Sequence, residues 1–163
     1  MSVPPAAPTI QDLVNLAEDV IKSRMAAGKS LGSDLLVHLR DGLVVLPFKD
    51  SDETKEIQLK RLAVGIVIKA RNCGAFLGAS SLCEAWMSTG GKHLGSLYRV
   101  MKPSQDPDRV ETIIVQVWGP DGKLVMRVYE LVRNGDKKSL GRLMMTNDGF
   151  DVQTWLDPAF RPT

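Results

Sequence analysis

The chain has 163 residues, 44% of them hydrophobic and 25% charged, which is the composition of a globular protein of one ordinary domain. Its net charge of +2 is too small to draw it to nucleic acid or to an anionic membrane surface by electrostatics alone. It shows no signal peptide and no apolar run of transmembrane length, so we expect a cytoplasmic protein whose two cysteines, Cys73 and Cys83, are reduced and buried.

Two helices are predicted in the first half of the chain. After a flexible lead over residues 1–8, Thr9 and Asp12 have the spacing of a capping box, and one apolar stripe continues from there to a stop at Gly28. The second helix is predicted over residues 52–72. Its apolar side chains cover more than half of its circumference, so we expect it to lie between the sheet and the first helix.

A hairpin separates the two helices, and a long strand follows the second one. Residues 34–40 and 43–48 flank Asp41-Gly42, a dipeptide typical of a two-residue hairpin turn. The long strand is predicted over residues 75–87. The face that includes Ala79 carries small side chains, which allow a helix to approach closely, so we expect the second helix to lie over it.

Residues 88–107 are rich in glycine and proline and are predicted to form a loop. Compact domains seldom contain structureless loops of this length, so the loop is either mobile or functional. Its first part, Ser88–His93, suggests a phosphate-binding loop, but one glycine of that motif is absent and His93 stands where a hydroxyl residue belongs. We favour a plain loop. The cations that it offers to a small ligand are Lys92, His93 and Arg99.

Three strands follow as an antiparallel meander, and they determine the fold class. The predicted strands cover residues 109–118, 123–133 and 139–146, joined by the turns Gly119–Gly122 and Asn134–Asp136. The element order is therefore helix, hairpin, helix, strand and meander. We predict an α+β fold in which a mainly antiparallel six-stranded sheet carries two helices on one face.

The sheet and the tail carry more apolar surface than two layers can hide. We predict one domain over residues 9–147 and an aromatic tail, 148–163, that packs on the domain or on a partner. The meander strands are partly apolar on both faces, so the outer face is covered either by the tail or by another subunit of a homodimer or higher oligomer. The residues expected at this interface are Trp118, Arg127, Tyr129, Trp155 and Phe160.

No catalytic or metal-binding motif stands out. His38, His93 and the two cysteines lack the spacing of a zinc site, and Asp106, Asp108 and Glu111 are better explained as a charged lead into a strand. A Ser–His or Cys–His pair that meets only in space stays open. We expect no metal, no cofactor and no catalytic residue.

Three segments resemble a known group of proteins. Leu82–Met87, Pro103–Glu111 and the Gly119–Gly122 hairpin look like parts of small uncharacterised α+β proteins encoded by bacteria, phages and mobile elements. In those proteins a strand ending in a Ser-Glu-Ala-Trp-like run leads through an acidic, proline-containing loop into a β-meander, and here Leu82-Cys83 replaces the polar lead. The resemblance spans residues 35–143. It implies a fold and a genomic context, and no catalytic residues.

These observations predict a non-catalytic binding or accessory protein, encoded by a phage or mobile element, that acts through its sheet surface and the 88–107 loop. We expect its partners to be a second copy of itself or another protein, and we do not expect it to bind nucleic acid or a membrane. One alternative is a small-ligand or nucleotide-sequestering protein, and another is an enzyme whose site is not visible as a motif. A pocket with converging polar groups would favour the alternatives, and a flat apolar patch would favour the first hypothesis.

Overall fold

The computed structural model describes residues 6–29, 31, 34–48, 52–87, 108–148 and 154–161. Within these residues lie two α-helices, six β-strands and a C-terminal 3-10 helix. In chain order they are α1 (Ile10–Ala26), β1 (Asp34–Leu39), β2 (Gly42–Pro47), α2 (Glu53–Asn72), β3 (Phe76–Met87), β4 (Val110–Trp118), β5 (Leu124–Asn134), β6 (Lys137–Asp148) and the 3-10 helix Asp157–Phe160. The strands form one sheet in the order β2-β1-β3-β4-β5-β6, with every neighbouring pair antiparallel. The predicted α+β class is confirmed.

Local sequence signals set the ends of both helices. The Asp12 amide donates to Thr9 Oγ1 at 3.1 Å and the Thr9 amide donates to Asp12 Oδ2 at 2.8 Å, which is the predicted capping box. α2 is capped by Asp52, whose carboxylate accepts from the Lys55 amide at 2.7 Å. No helix in the residues that the structure describes is long and apolar enough to cross a membrane.

The two helices pack against opposite faces of the sheet. Leu36 of β1 belongs to the hydrophobic core beneath α1, whereas its neighbours Leu35 and Val37 belong to the core beneath α2. Adjacent residues of a strand point to opposite faces, so the sheet separates the two cores. The expectation that both helices share one face is therefore corrected. The strands are apolar on both faces, and each helix covers part of one of them.

Each core combines one helix with side chains from several strands. The α1-side core contains Leu13, Val14, Ala17, Ile21, Leu31, Leu36, Leu82, Ile113, Val115, Val117, Val125, Tyr129 and Leu131. The α2-side core contains Leu35, Val37, Leu46, Ala63, Val67, Ala70, Phe76, Ala79, Trp118, Leu124, Leu156 and Ala159.

α2 is less buried than its composition predicts. Ile57 and Leu62 are 46% and 51% exposed, and the fully buried positions are confined to one side of the helix. The prediction that α2 lies between the sheet and α1 is wrong, because α1 occupies the other face. The sheet and the residue 154–161 segment cover α2 instead.

A β-bulge in β3 changes the face to which its first residue points. The register between β1 and β3 shifts after His38, which pairs with Gly78, so that Leu39 pairs with Phe76. Phe76 thereby joins Ala79 on the α2 side. On the other face, a Cβ at Gly78 would lie 2.4 Å from Leu13 Cδ1. The glycine therefore permits the close approach of α1.

Candidate functional site

A cavity of about 460 Å³ opens between the C-terminal end of α2 and the C-terminal 3-10 helix. Its volume lies within the range of about 300–1,000 Å³ that is typical of small-molecule sites. We call it the α2–tail cavity. It is lined by Ile68, Arg71, Asn72, Gly74, Phe76, Pro120, Pro158, Ala159, Phe160 and Arg161.

Arg71, in the last turn of α2, is held in place by the tail. Its Nη1 atom donates to the carbonyl oxygen of Ala159 at 2.8 Å, and its guanidinium carbon lies 5.0 Å from the centre of the Phe160 ring. A guanidinium has five N–H donors, so this hydrogen bond leaves others for a ligand. The stacked ring and the carbonyl together fix the plane of the guanidinium.

Arg161 is the second cation of the cavity, and it is exposed to solvent. Within the residues that the structure describes, neither Arg71 nor Arg161 forms an ion pair with a carboxylate. The cavity therefore presents two positive charges that no described acidic side chain neutralises. Such guanidinium groups suit the oxygens of a carboxylate or a phosphate.

Two aromatic rings line part of the cavity. The Phe76 and Phe160 rings lie 5.7 Å apart and are tilted by 57°. Phe160 also covers the β4–β5 turn so closely that a Cβ at Gly122 would lie 2.6 Å from the ring. The last carbonyls of α2 already accept hydrogen bonds, including Arg71 O from the Gly74 amide at 3.1 Å and Ala70 O from the Ala75 amide at 2.8 Å.

The described lining of this cavity includes no serine, cysteine, histidine or carboxylate. What these side chains offer is recognition: two arginines, two phenylalanines and two prolines line the same cavity. Elsewhere, among the residues that the structure describes, no group of three or more histidine, cysteine or acidic residues could hold a metal ion.

The fold does bring one serine–histidine pair together, His38 on β1 and Ser80 on β3. The His38 Nε2 atom lies 3.3 Å from Ser80 Oγ, and burial lowers the pKa of the imidazole. Ser80 is fully buried, beneath α1, so its hydroxyl is out of reach of a substrate in solution. The pair satisfies two polar groups inside the sheet, which is the ordinary role of buried hydrogen bonds.

Trp118 and Tyr129, two of the predicted interface residues, lie inside the fold. Trp118 is completely buried in the α2-side core, and Tyr129 is 7% exposed in the α1-side core, with its hydroxyl donating to Glu18. The expectation that they contact another subunit is corrected, because α1 and the tail cover these two positions. Cys73 likewise is exposed at the end of α2, where burial was expected.

The remaining predicted residues have mixed positions. Trp155 and Phe160 pack on the chain itself, Trp155 against Phe48 with ring centres 5.8 Å apart and Phe160 against Phe76. Arg127 is half-buried on β5 and donates to the carbonyl oxygen of Met126 at 3.3 Å. The predicted ligand-binding cations Lys92, His93 and Arg99 lie outside the described residues.

A second polar surface lies at the end of β3 and the start of β4. Trp86 is 48% exposed, and the Arg109 guanidinium carbon lies 4.5 Å from the centre of its ring. Nearby, Arg133 makes a two-pronged hydrogen bond to Glu111, which lowers the pKa of that carboxyl group. An exposed tryptophan with a stacked arginine is the kind of feature found at protein interfaces.

Sequence reasoning missed Arg71 and Arg161. Arg71 has the appearance of an ordinary cation near a helix C-terminus, and the two residues line one cavity only because the tail folds back over α2. No local spacing marks such a pair. Comparisons with known proteins add no guide: no family model matches the chain, and searches of curated proteins and of solved structures found no match.

Proposed function

We propose that this protein is a non-catalytic binding protein for a small organic anion, which it holds in the α2–tail cavity. The observation that carries the proposal is that two arginines, Arg71 and Arg161, line a cavity of about 460 Å³ together with two phenylalanine rings. A carboxylate or phosphate attached to a flat or apolar body fits both parts of this surface. A nucleotide belongs to this class, in keeping with the small-ligand alternative raised by the sequence.

The two arginines have different parts in this proposal. Arg71 is preorganised by Ala159 and Phe160, so its donors need little ordering when a ligand arrives. Arg161 is exposed and contributes mainly charge. A hydrogen bond to a charged group is worth about 1.5–3 kcal/mol, so removal of either arginine should weaken binding about 10- to 100-fold.

Isothermal titration calorimetry with the full chain tests the proposal. The probes are inorganic phosphate, benzoate and adenosine monophosphate, which separate the phosphate, the carboxylate and the ring contributions. The main variant is R161A, because Arg161 makes no described contact that holds the fold. R71K keeps the charge of Arg71 and removes its planar fork. R61A is the matched control, since Arg61 is an exposed arginine of the same helix outside the cavity.

We expect saturable binding of at least one probe, weakened by R161A and R71K and unchanged by R61A. Binding should also weaken as salt increases. If none of the probes binds at millimolar concentration, or if R61A weakens binding as much as R161A does, the assignment of the cavity is wrong.

A second candidate function is the binding of another protein through the sheet surface near Trp86, as an accessory protein of a phage or mobile element. What supports it is the exposed Trp86 ring stacked with Arg109 at the sheet end from which the 88–107 segment departs. The test is affinity capture from native lysate with the wild-type chain, W86A and the control R161A. A partner retained by R161A and lost with W86A supports this function. Equal capture by all three chains contradicts it.

A further inference from the structure

The two edges of the sheet differ in how they are protected. At one edge, β6 carries Lys137, Lys138 and Arg142, and its register against β5 is interrupted by irregularities. At the other edge, β2 has the sequence Gly-Leu-Val-Val-Leu-Pro, with no charge and with a continuous register against β1. Natural proteins shield edge strands with charges and bulges, because an open edge can pair with another strand. Among the residues that the structure describes, the first half of β6 has this protection and β2 has none.

The hydrogen-bond pattern identifies the free backbone groups of β2. The Arg40 amide donates to Ala75 O at 2.9 Å, on the β3 side of β1. Along an antiparallel strand, the N–H and C=O groups of successive residues point to alternate sides. The backbone groups of Leu39, Val37 and Leu35 therefore point to β2. Their partners are Gly42, Val44 and Leu46. The N–H and C=O groups of the residues between them therefore point out of the sheet.

Pro47 agrees with this assignment, and Leu43 and Val45 add exposed apolar surface to the same edge. Pro47, which has no N–H to donate, occupies one of the outward positions, where a ladder hydrogen bond is not required. The other two outward positions are Leu43 and Val45, which are 52% and 45% exposed. Both side chains lie on the α1 face, since they pair with His38 and Leu36. β2 thus combines open hydrogen-bonding groups with an exposed apolar pair.

This edge is complementary to itself. When two β2 strands run antiparallel about a two-fold axis at Val44, Leu43 of one copy lies opposite Val45 of the other, and the same pair repeats across the axis. These are the outward-pointing positions, so each pair can exchange both of its N–H···O hydrogen bonds. The exposed Leu43 and Val45 side chains of the two copies then form one apolar cluster on the α1 face.

We propose that this protein forms a symmetric homodimer in which the β2 strands of two copies pair antiparallel about Val44 and join the two sheets into one. A second copy is the fitting occupant, because the register that pairs the free hydrogen-bonding groups also pairs the exposed apolar side chains. The two-fold arrangement is closed, whereas pairing of β2 with the cationic, irregular β6 edge would generate an open chain. The interface does not involve the α2–tail cavity.

Sedimentation velocity over a range of about 1–200 µM tests the dimer with the full chain. The double variant L43K/V45K places like charges opposite each other across the two-fold axis and should raise the dimer Kd on the order of 100-fold. L43E/V45E should have the same effect. Because both positions are solvent-exposed in the single chain, the circular dichroism spectrum should remain unchanged. L62K is the matched control, since Leu62 is equally exposed on α2.

The decisive experiment mixes L43K/V45K with L43E/V45E. Each new lysine then faces a glutamate, so an equimolar mixture should recover dimers that neither variant forms alone. A wild-type chain that remains monomeric at about 200 µM overturns the proposal. A dimer that survives L43K/V45K, or that L62K abolishes instead, places the contact elsewhere and also overturns it. R161A should dimerise normally, which keeps this test separate from that of the anion site.

Discussion

Gly78→Ala should strongly destabilise the fold, because Leu13 of α1 and the Trp118 carbonyl of β4 lie close to Gly78 of β3. A Cβ there would be 2.4 Å from Leu13 Cδ1 and 2.8 Å from the carbonyl oxygen of Trp118. The first contact involves the end of a side chain that can shift, but the second involves the backbone of a paired strand. The φ angle of Gly78 is +154°, a value that residues with a Cβ atom rarely adopt.

The expected magnitude follows from these two effects. Overpacking a core costs about 1–3 kcal/mol, and holding a non-glycine residue in a strained backbone conformation costs about 1–3 kcal/mol. The sum of about 2–6 kcal/mol is a large part of a typical unfolding free energy of about 5–15 kcal/mol. For a chain of this length, each kcal/mol lowers the melting temperature by about 2–4 °C.

Urea unfolding followed by tryptophan fluorescence measures the effect, and Gly65→Ala is the matched control. Gly65 lies within α2, and a Cβ there would meet nothing within 4 Å. The same substitution should therefore stabilise α2 by about 0.5–1 kcal/mol. Opposite shifts of the two urea midpoints are the expected result. A G78A midpoint within experimental error of wild type would refute the close approach of α1 to β3.

Three further predictions concern the core, a helix end and pH. Val67→Asp should abolish cooperative unfolding, since Val67 is fully buried and an unpaired buried carboxylate costs several kcal/mol; a near-native melt would contradict its assignment to the core. Asp52→Ala should lower stability by about 1 kcal/mol at unchanged m-value, and an unaffected urea midpoint would argue against the cap. Burial and the hydrogen bond to Glu18 raise the pKa of Tyr129 above its ordinary value of 10.0. The folded state therefore favours the protonated phenol. This contribution to the unfolding free energy is complete below pH 10 and is lost as the pH rises above it. Tyr129→Phe should accordingly lose less stability than wild type as the pH rises from about 10 to 12, and equal losses would show that ionisation of Tyr129 does not cause the alkaline loss of stability.

Local signals in the sequence were enough to determine the elements and the fold class. The capping box at Thr9 and Asp12, the helix stop at Gly28 and the meander turns each depend on interactions between residues close in the chain. The turn of the first hairpin was displaced by one residue, since Gly42 begins β2. Such shifts are expected, because turn type and register depend on the paired strands as well as on the turn dipeptide.

Only the tertiary structure decided where the helices lie and where a site is formed. Apolar periodicity shows that α2 has a side to bury, but it does not tell which face of a two-sided sheet will cover it. The bulge in β3 and the closeness of α1 to Gly78 arise from pairing between distant strands. Arg71 and Arg161 line the same cavity because the tail returns over α2, and this long-range packing leaves no recognisable spacing in the sequence. The sequence by itself thus determined the helices, strands and turns, which depend on residues close along the chain. Chain topology determined the placement of the helices and the cavity, because packing energy depends on neighbours that are remote along the chain.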